Sequence, residues 1–552
     1  MKRRVLSLLL VIVMILMLLP GCQTKETGPA GGNANENTEA KVEKKILKYN
    51  MAEDPRTLDP QLNSSIKAGD IINNIYEGLM REVDGKYVPG IAESYEVSDD
   101  GLTYTFHLRD AKWSDGQPIT AHDFVYSWKR AADPTTASDY ANLMYYIAGG
   151  YEFFNGEGSS EDVKVKALDD KTLEVTLAAP TPFFLELTAF YTFMPVRQDV
   201  VEKDPEGWAK NPELIVTNGP FKLAEYKMGD MAVLAKNENY WNADNVKLDE
   251  IVCYIIVEES TSLTAYESGD LDIITNIPLQ EVPEIMVNNP EFHITQRNGT
   301  SFYVFNVKKP PLDDIRVRKA LTLAIDRKLI VDNVTKGGEM PAVGFVPPVA
   351  GMKDTRGNVF REMAPDYGIA IDSSKVDEAK RLLAEAGYPD GKGFPEIDIS
   401  YNTSESNKAI VEAIQEMWKK NLNIHATLTN QEWSVFANNR RNGNFYVARH
   451  NWIGDYADPV TFLDLYNSDG GNTSSQWVSK EYNELMNKIK TENDPIKRDE
   501  ALYAAEKMLF DEQLFMPIFH HTDKMLVKDY VKDWKKTTAL GNWYFGTTDI
   551  VK

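Results

Sequence analysis

The sequence predicts an α/β fold in more than one lobe. Three observations carry this reading. Strand-like and helix-like patterns alternate along the body of the chain, one stretch runs strand–helix–strand without interruption, and 552 residues are long enough for two or three domains at roughly 150 residues each. A hydrophobic content of 43% with 11% aromatics supplies ample core for a chain of that size.

The elements follow in chain order. Leu102-Thr103-Tyr104-Thr105-Phe106-His107-Leu108 alternates with period two and reads as a strand. Thr120-Ala121-His122-Asp123 fits a capping box that opens a helix over Phe124 to Arg130. Leu173 to Leu177 alternates again. Ser373 or Ser374 is placed to cap a helix carrying Val376, Ala379, Leu382, Leu383 and Ala386 on one face, and Gly387 stands where a left-handed residue closes it. A strand over Ile397 to Tyr401, a helix over Lys408 to Lys420 and a strand over Ile424 to Thr429 then form a βαβ unit, so part of the sheet is parallel.

The N-terminus carries an export signal. Lys2, Arg3 and Arg4 precede an apolar run from Val5 to Leu19, too short for a bilayer crossing of roughly 20 residues. Leu19-Pro20-Gly21-Cys22 resembles a bacterial lipobox, in which the cysteine is diacylated and becomes the new N-terminus; Pro20 departs from the usual pattern. The competing reading is an uncleaved N-terminal anchor. Both place the body outside the cytoplasm. From Gln23 to about Lys45 the chain is polar and too poor in apolar residues to fold, which makes it a tether.

Charge excludes one class of partner. The formal net charge is −23, and three units more negative without Lys2, Arg3 and Arg4. Such a body is repelled by nucleic acid and anionic headgroups. Besides Cys22 there is only Cys253, in the apolar run Ile251 to Val257, where a buried, inert strand residue is the natural reading.

Catalytic and metal motifs are missing. Seven histidines are scattered without metal-ligand spacing, apart from the adjacent His520 and His521. No nucleophile elbow or phosphate loop is present, and Gly387 to Lys392 reads as a turn. Ser64-Ser65-Ile66-Lys67 fits a Ser-x-x-Lys pattern without its companion boxes. These observations predict no enzyme, no cofactor and no metal site.

Polar and aromatic residues instead cluster between Asn402 and Asp458. Gln431-Glu432-Trp433 is followed by Arg440, Arg441, Arg449 and Trp452-Ile453-Gly454-Asp455-Tyr456-Ala457-Asp458-Pro459. Aromatic walls with charges of both signs suit a zwitterionic ligand. Asp458-Pro459 has a plainer reading as a helix N-cap followed by proline, heading Val460 to Tyr466. Asp455 precedes that cap and has no such alternative. Trp433 and Trp452 fit a core as well as a ligand wall, and Arg440 with Arg441 fits a solvated turn before Asn442-Gly443.

Several stretches together resemble a known family. They are Thr57-Leu58-Asp59-Pro60, Ala92 to Tyr95, Asp99 to Tyr104, Lys112-Trp113-Ser114-Asp115-Gly116, Thr217-Asn218-Gly219-Pro220-Phe221, Tyr240-Trp241-Asn242 and Asp314 to Leu321. From about Ile46 to Lys552 the chain resembles the oligopeptide-binding proteins of bacterial ABC importers, within the extracellular solute-binding family 5. The resemblance implies a three-lobed periplasmic-binding-protein-like fold whose halves close over a ligand cleft. It implies a signal peptide over 1–21, a tether over 22–45, lobe I over 46–76, 200–299 and 523–552, lobe II over 77–199 and lobe III over 300–522.

The resemblance also implies roles. Asp455 pairs with the peptide's ammonium, and Arg449 and Arg440 anchor the cleft and meet a C-terminal carboxylate. Trp433, Trp452 and Tyr140 wall side-chain pockets, and Asn402 and Asn276 hydrogen-bond near the peptide backbone. His521 replaces a tyrosine near the cleft, Asn407 replaces a histidine, Thr335 replaces a lysine beside Lys336, and Ile453 occupies a cysteine position of an absent disulfide. These departures bear on peptide length. The implied partners are an oligopeptide, the permease subunits of an ABC importer and the membrane, reached through a lipid on Cys22, with the protein itself a monomer on the outer face of the cytoplasmic membrane. Two other readings stand beside peptide capture: another solute on the same fold, such as a nickel chelate, an oligosaccharide or a signalling peptide, and an extracytoplasmic peptidase.

Overall fold

The computed structural model describes residues 44–552 apart from 84, 350, 469–474 and 539. The apolar run, the lipobox with Cys22 and nearly all of the tether lie outside the described residues. Among the described residues no helix is long and apolar enough to cross a membrane.

Two sheets organise the body. The larger has eleven strands, in the spatial order Ala426–Gln431, Ile397–Asn402, Val447–Ile453, Phe292–Phe305, Phe515–Val527, Ile273–Ile274, Ile46–Asn50, Glu250–Tyr254, Met231–Lys236 and Phe221–Lys227, with Met340–Pro341 added beside Phe515–Val527. The smaller is antiparallel and runs Ala92–Val97, Thr103–Leu108, Thr172–Thr176, Val165–Asp169. The predicted strand–helix–strand unit is present: Ile397–Asn402 and Ala426–Gln431 pair in parallel, with the helix Glu405–Leu422 between them in sequence. Its helix starts earlier than predicted because Ser404 caps it, and it ends on Asn423 in the left-handed conformation. A second parallel pair joins Ile46–Asn50 to Glu250–Tyr254.

The long strands Phe292–Phe305 and Phe515–Val527 tie the two wings of the large sheet together. Their register breaks at one place. Gln296 faces Thr522 and Thr300 faces His520, so Arg297, Asn298 and Gly299 bulge opposite His521 alone. Gly299 sits in close packing there: a Cβ would lie 2.3 Å from Cδ1 of Ile453 and 3.1 Å from the Trp452 carbonyl oxygen.

The local predictions fare well, with shifts of physical origin. The Thr120 helix spans Ala121–Ala132, and Asp123 Oδ2 accepts the Thr120 N–H at 2.8 Å. Gly387 has φ +100° and closes the helix Val376–Glu385. The serines before that helix do not cap it. They lie in a 3-10 turn, Ser373–Lys375, capped by Asp372 through the Ser374 N–H at 3.0 Å. Cys253 is buried on its strand, and burial pushes its thiol pKa up. Arg440 and Arg441 end a helix, Trp433–Arg441, where a turn was one reading, and Gly443 turns the chain after it.

Asp59, Asn218, Tyr240 and Trp241, from three of the stretches that carried the resemblance, serve the scaffold. Glu77 is fully buried and accepts from Arg81 Nε at 2.7 Å, Trp241 Nε1 at 2.6 Å and Tyr240 OH at 3.2 Å. Asn218 matches the Glu77 backbone at both ends, accepting its N–H at 3.0 Å and donating to its carbonyl at 2.9 Å. Asp59 takes both terminal nitrogens of Arg130, at 3.0 and 2.6 Å. Buried charges survive folding only when paired and hydrogen-bonded, which these are.

Candidate functional site

A cleft of about 880 Å³ lies beside the register break of the two long strands. Helix Ile66–Ile75 contributes one wall and residues 275–282 another; Arg449 and His521 reach it from the large sheet and Asn407 from the helix Glu405–Leu422. Of the predicted site residues, Arg449, Asn276 and His521 line this space directly.

Asp455 lies just past the end of strand Val447–Ile453. The turn at Gly454 is forced tight, because the Gly454 N–H bonds the Asn298 carbonyl at 2.8 Å and a Cβ there would sit 2.3 Å from Asn298 Nδ2. The Asp455 N–H donates to Thr461 Oγ1 at 3.0 Å, which fixes the backbone. Its carboxylate accepts from Tyr140 OH at 3.1 Å, and the Tyr140 ring is held edge-on against Phe190 and Tyr191. No cation of the described residues pairs with it. Burial therefore pushes its pKa up to about 7, against which the Tyr140 bond acts only partly. The residue faces a small cavity lined also by Tyr191 and Leu540, and Leu540 in turn borders the large cleft.

Two arginines form the complement. Arg449 donates from Nη1 to Asn402 Oδ1 at 3.0 Å, and burial holds its pKa below the usual value. Arg440 lies 5.5 Å over the Phe436 ring and donates to the Arg449 carbonyl at 3.4 Å. Burial, with Arg449 and Arg441 adding to it, pushes the Arg440 pKa down to about 10. Among the described residues neither arginine has a carboxylate within ion-pair distance. Buried Arg318 and Arg327 also lack a carboxylate but spend their donors on backbone carbonyls, whereas Arg449 and Arg440 keep donors to spare, which fits a site whose anion arrives with the ligand.

Other predicted residues are placed differently. Asn402 holds Arg449 and also accepts from Asn407 Nδ2 at 3.2 Å, so it orients a cation. Asn276 lines the cleft with its amide turned into the scaffold: Oδ1 accepts from Asn50 at 2.9 Å and Ser262 at 2.8 Å, and Nδ2 donates to the Ile256 carbonyl at 3.0 Å. Trp433 is 54% exposed at the start of its helix, tilted against Phe436, and does not border the cleft. Trp452 packs against the core, paired in register with Thr300. His521 bonds Asn451 through Nε2, and burial pushes its pKa down to about 3, so its ring stays neutral and offers no cation. His520 lies on the other face of the strand, bonded to Thr300 Oγ1 at 2.9 Å, as alternation demands of adjacent residues. Asp458 has the structural role predicted for it: it takes the Val460 N–H at 2.9 Å and pairs with buried Arg498 at 2.8 Å.

The Ser64–Lys67 pattern is not a catalytic pair. Ser64 Oγ donates to Asp139 at 2.7 Å, while Lys67 Nζ donates to Thr275 Oγ1 at 3.0 Å. Sequence reasoning passed over Lys67 and Arg297 as cleft residues. Lys67 had a signal in that pattern; Arg297, between Gln296 and Asn298, had none.

Similarity to known proteins agrees with this geometry. Residues 86–474 match the model of the bacterial extracellular solute-binding proteins, family 5. The oligopeptide-binding protein OppA of Bacillus subtilis is 37% identical over 544 residues, covering 96% of this chain and 97% of the relative. A crystal structure of a periplasmic oligopeptide-binding protein from Borrelia burgdorferi superposes with a TM-score of 0.77 at 35% identity, over 92% of this chain and all of that one. Listeria monocytogenes OppA bound to peptide superposes with a TM-score of 0.74 at 30% identity, over 92% and 99%. The chain belongs to the bacterial extracellular solute-binding proteins, family 5.

Proposed function

We propose that the protein is the extracytoplasmic receptor of an ABC importer, capturing oligopeptides in its cleft and delivering them to the permease. The observation that carries this reading is the set of unmatched charges: a carboxylate at Asp455 without a cation, and guanidinium groups at Arg449 and Arg440 without an anion. A free peptide brings one charge of each sign at its two ends. Asp455, aided by Tyr140, takes the ammonium, and Arg449, oriented by Asn402, meets the carboxylate, with Arg440 behind it. Asn276 and His521 shape the wall as neutral groups, while Trp433 and Trp452 support the region around it. Main-chain pairing to an extended ligand would add affinity without reading side chains.

The same reading divides the body into lobe I (46–76, 200–299 and 523–552), lobe II (77–199) and lobe III (300–522), with the two long strands passing between lobes I and III. It places the protein on the outer face of the cytoplasmic membrane, held as a monomer by a lipid on Cys22. The chain acts as a binder and not as a peptidase.

Calorimetry with matched peptides tests the reading. Asp455→Ala should weaken free-amino peptides far more than their N-acetylated counterparts. Equal losses for both would remove Asp455 from the role assigned to it, and a preference for a non-peptide solute would favour another ligand on the same fold.

A further inference from the structure

We propose that Lys67 and Arg297 form a second anion-receiving corner of the cleft, which takes a carboxylate of the bound peptide; this rests on the reading of the cleft as a peptide site. Both residues line the 880 Å³ space, on the wall made by helix Ile66–Ile75 and by the bulge of strand Phe292–Phe305.

Lys67 lacks an ionic partner. Its one hydrogen bond goes to the neutral Thr275 hydroxyl at 3.0 Å, and no carboxylate of the described residues lies within ion-pair distance. The nearby acids are engaged elsewhere. Asp70 accepts from Tyr49 OH at 2.7 Å, Asn542 Nδ2 at 3.1 Å and the Trp543 N–H at 3.0 Å. Asp523 accepts from Lys536 Nζ at 2.6 Å and faces Arg297 Nη1 at 3.4 Å. Glu53 and Glu259 border the cleft but stand exposed at its rim, and Glu339 pairs with Lys524 at 2.9 Å. Lys67, Arg297 and Lys536 therefore face two inward carboxylates, Asp523, which pairs with Arg297 and Lys536, and Asp70, whose oxygens are taken by neutral donors.

Arg297 has unused capacity as well. Its Nε is sealed from solvent and has no hydrogen-bond partner. A buried donor left unmade costs folding free energy, so the Arg297 guanidinium is held here with part of its hydrogen-bonding capacity unspent. Burial, with Lys536 and Arg297 adding to it against Asp70 and Asp523, holds the Lys67 pKa below its ordinary value. An incoming carboxylate would give Lys67 its counter-charge and meet the accessible part of the Arg297 guanidinium, whose side chain is 27% exposed. Arg449 reaches the cleft from the neighbouring strand Val447–Ile453, with Arg440 behind it on the Arg449 carbonyl, so Lys67 and Arg297 add a second anionic requirement to the one already placed there. The ligands it selects are peptides with an acidic side chain, or short peptides whose terminal carboxylate falls here.

Calorimetry with matched short peptides separates these sources: glutamate against glutamine at each position, and C-terminal acid against amide. Wild type should prefer at least one acid over its amide by ~10-fold or more, the range of a charge-assisted hydrogen bond. Lys67→Met and Arg297→Met should each remove most of that preference, and Lys67→Arg should keep it. Circular dichroism identifies any variant that fails to fold, and the other variant then decides. Loss confined to the glutamate series assigns the corner to a side chain, and loss confined to the terminal series assigns it to the C-terminus. A preference that persists in both variants overturns the proposal. A wild type that binds acids and amides alike overturns this proposal and the carboxylate role of Arg449 while leaving peptide capture standing, and one that binds none of the peptides overturns peptide capture as well.

Discussion

Lowering the pH from 8 to 5 should weaken peptide binding by protonating Asp455, and the size of the effect follows from its surroundings. In the ligand-free protein burial without a cation holds its pKa at about 7. A peptide ammonium at the carboxylate favours the charged form and returns the pKa to or below the ordinary carboxylate range. Binding therefore requires the loss of a proton at any pH below 7. The sign is fixed: affinity is full above 7 and falls as pH drops through it, by up to tenfold per unit. From pH 8 to pH 5 the loss is about 100-fold, or about 2.7 kcal/mol at 1.36 kcal/mol per unit. A second limb appears on the alkaline side, because an α-amino group loses its own proton near pH ~8. Titration calorimetry of one short peptide across pH 5 to 9, in buffers of different ionisation enthalpy, reads both the affinity and the protons released. Asp455→Asn should abolish the acid limb, and N-acetylated peptides should not show it. His521→Asn should leave that limb in place, since the His521 ring is neutral down to about 3. An acid limb that survives in Asp455→Asn, or a flat profile in the wild type, would refute the reasoning.

The same carboxylate should destabilise the empty protein. Asp455→Asn is expected to raise the melting temperature of the ligand-free form at pH 8, by about 1 kcal/mol of stability once partial exposure is allowed for, as scanning calorimetry would show. Glu77→Gln should leave Arg81 buried without its counter-charge and cost about 3–5 kcal/mol, read as a lower urea midpoint. Gly219→Ala places a methyl 2.6 Å from the Ile75 carbonyl carbon and 2.7 Å from the Tyr76 nitrogen, both backbone atoms, and should cost at least about 1–3 kcal/mol in the same assay.

Local grammar made part of this fold readable. The strand Thr103–Leu108, the Thr120 cap, Gly387 and the parallel pair around Glu405–Leu422 each rest on residues close in sequence. The large sheet was not readable, because its central partners are far apart: Ile46 pairs with Glu250, and Phe292 with Leu526. The helix Trp433–Arg441 escaped notice because its apolar residues Trp433 and Val435 are exposed and only Phe436 is deeply buried, which leaves little amphipathic signal. The site divides in the same way. Asp455 stood out because no cap or turn explained it, and the structure leaves it without a cation. The resemblance gave Asn276 a place near the peptide backbone; it lines the cleft, but Asn50 and Ser262 occupy its oxygen, and nothing near it in sequence announces them. Asn218, Tyr240 and Trp241 carried the resemblance yet serve Glu77 in the scaffold, so a stretch can identify the fold without touching the ligand.

The most direct test of peptide capture is native mass spectrometry of the protein purified without added ligand, followed by release of whatever it holds. A ladder of short peptides, displaced by free-amino peptides and not by N-acetylated ones, is the predicted result. A single non-peptide species, or an empty protein that takes up no added peptide, would contradict it.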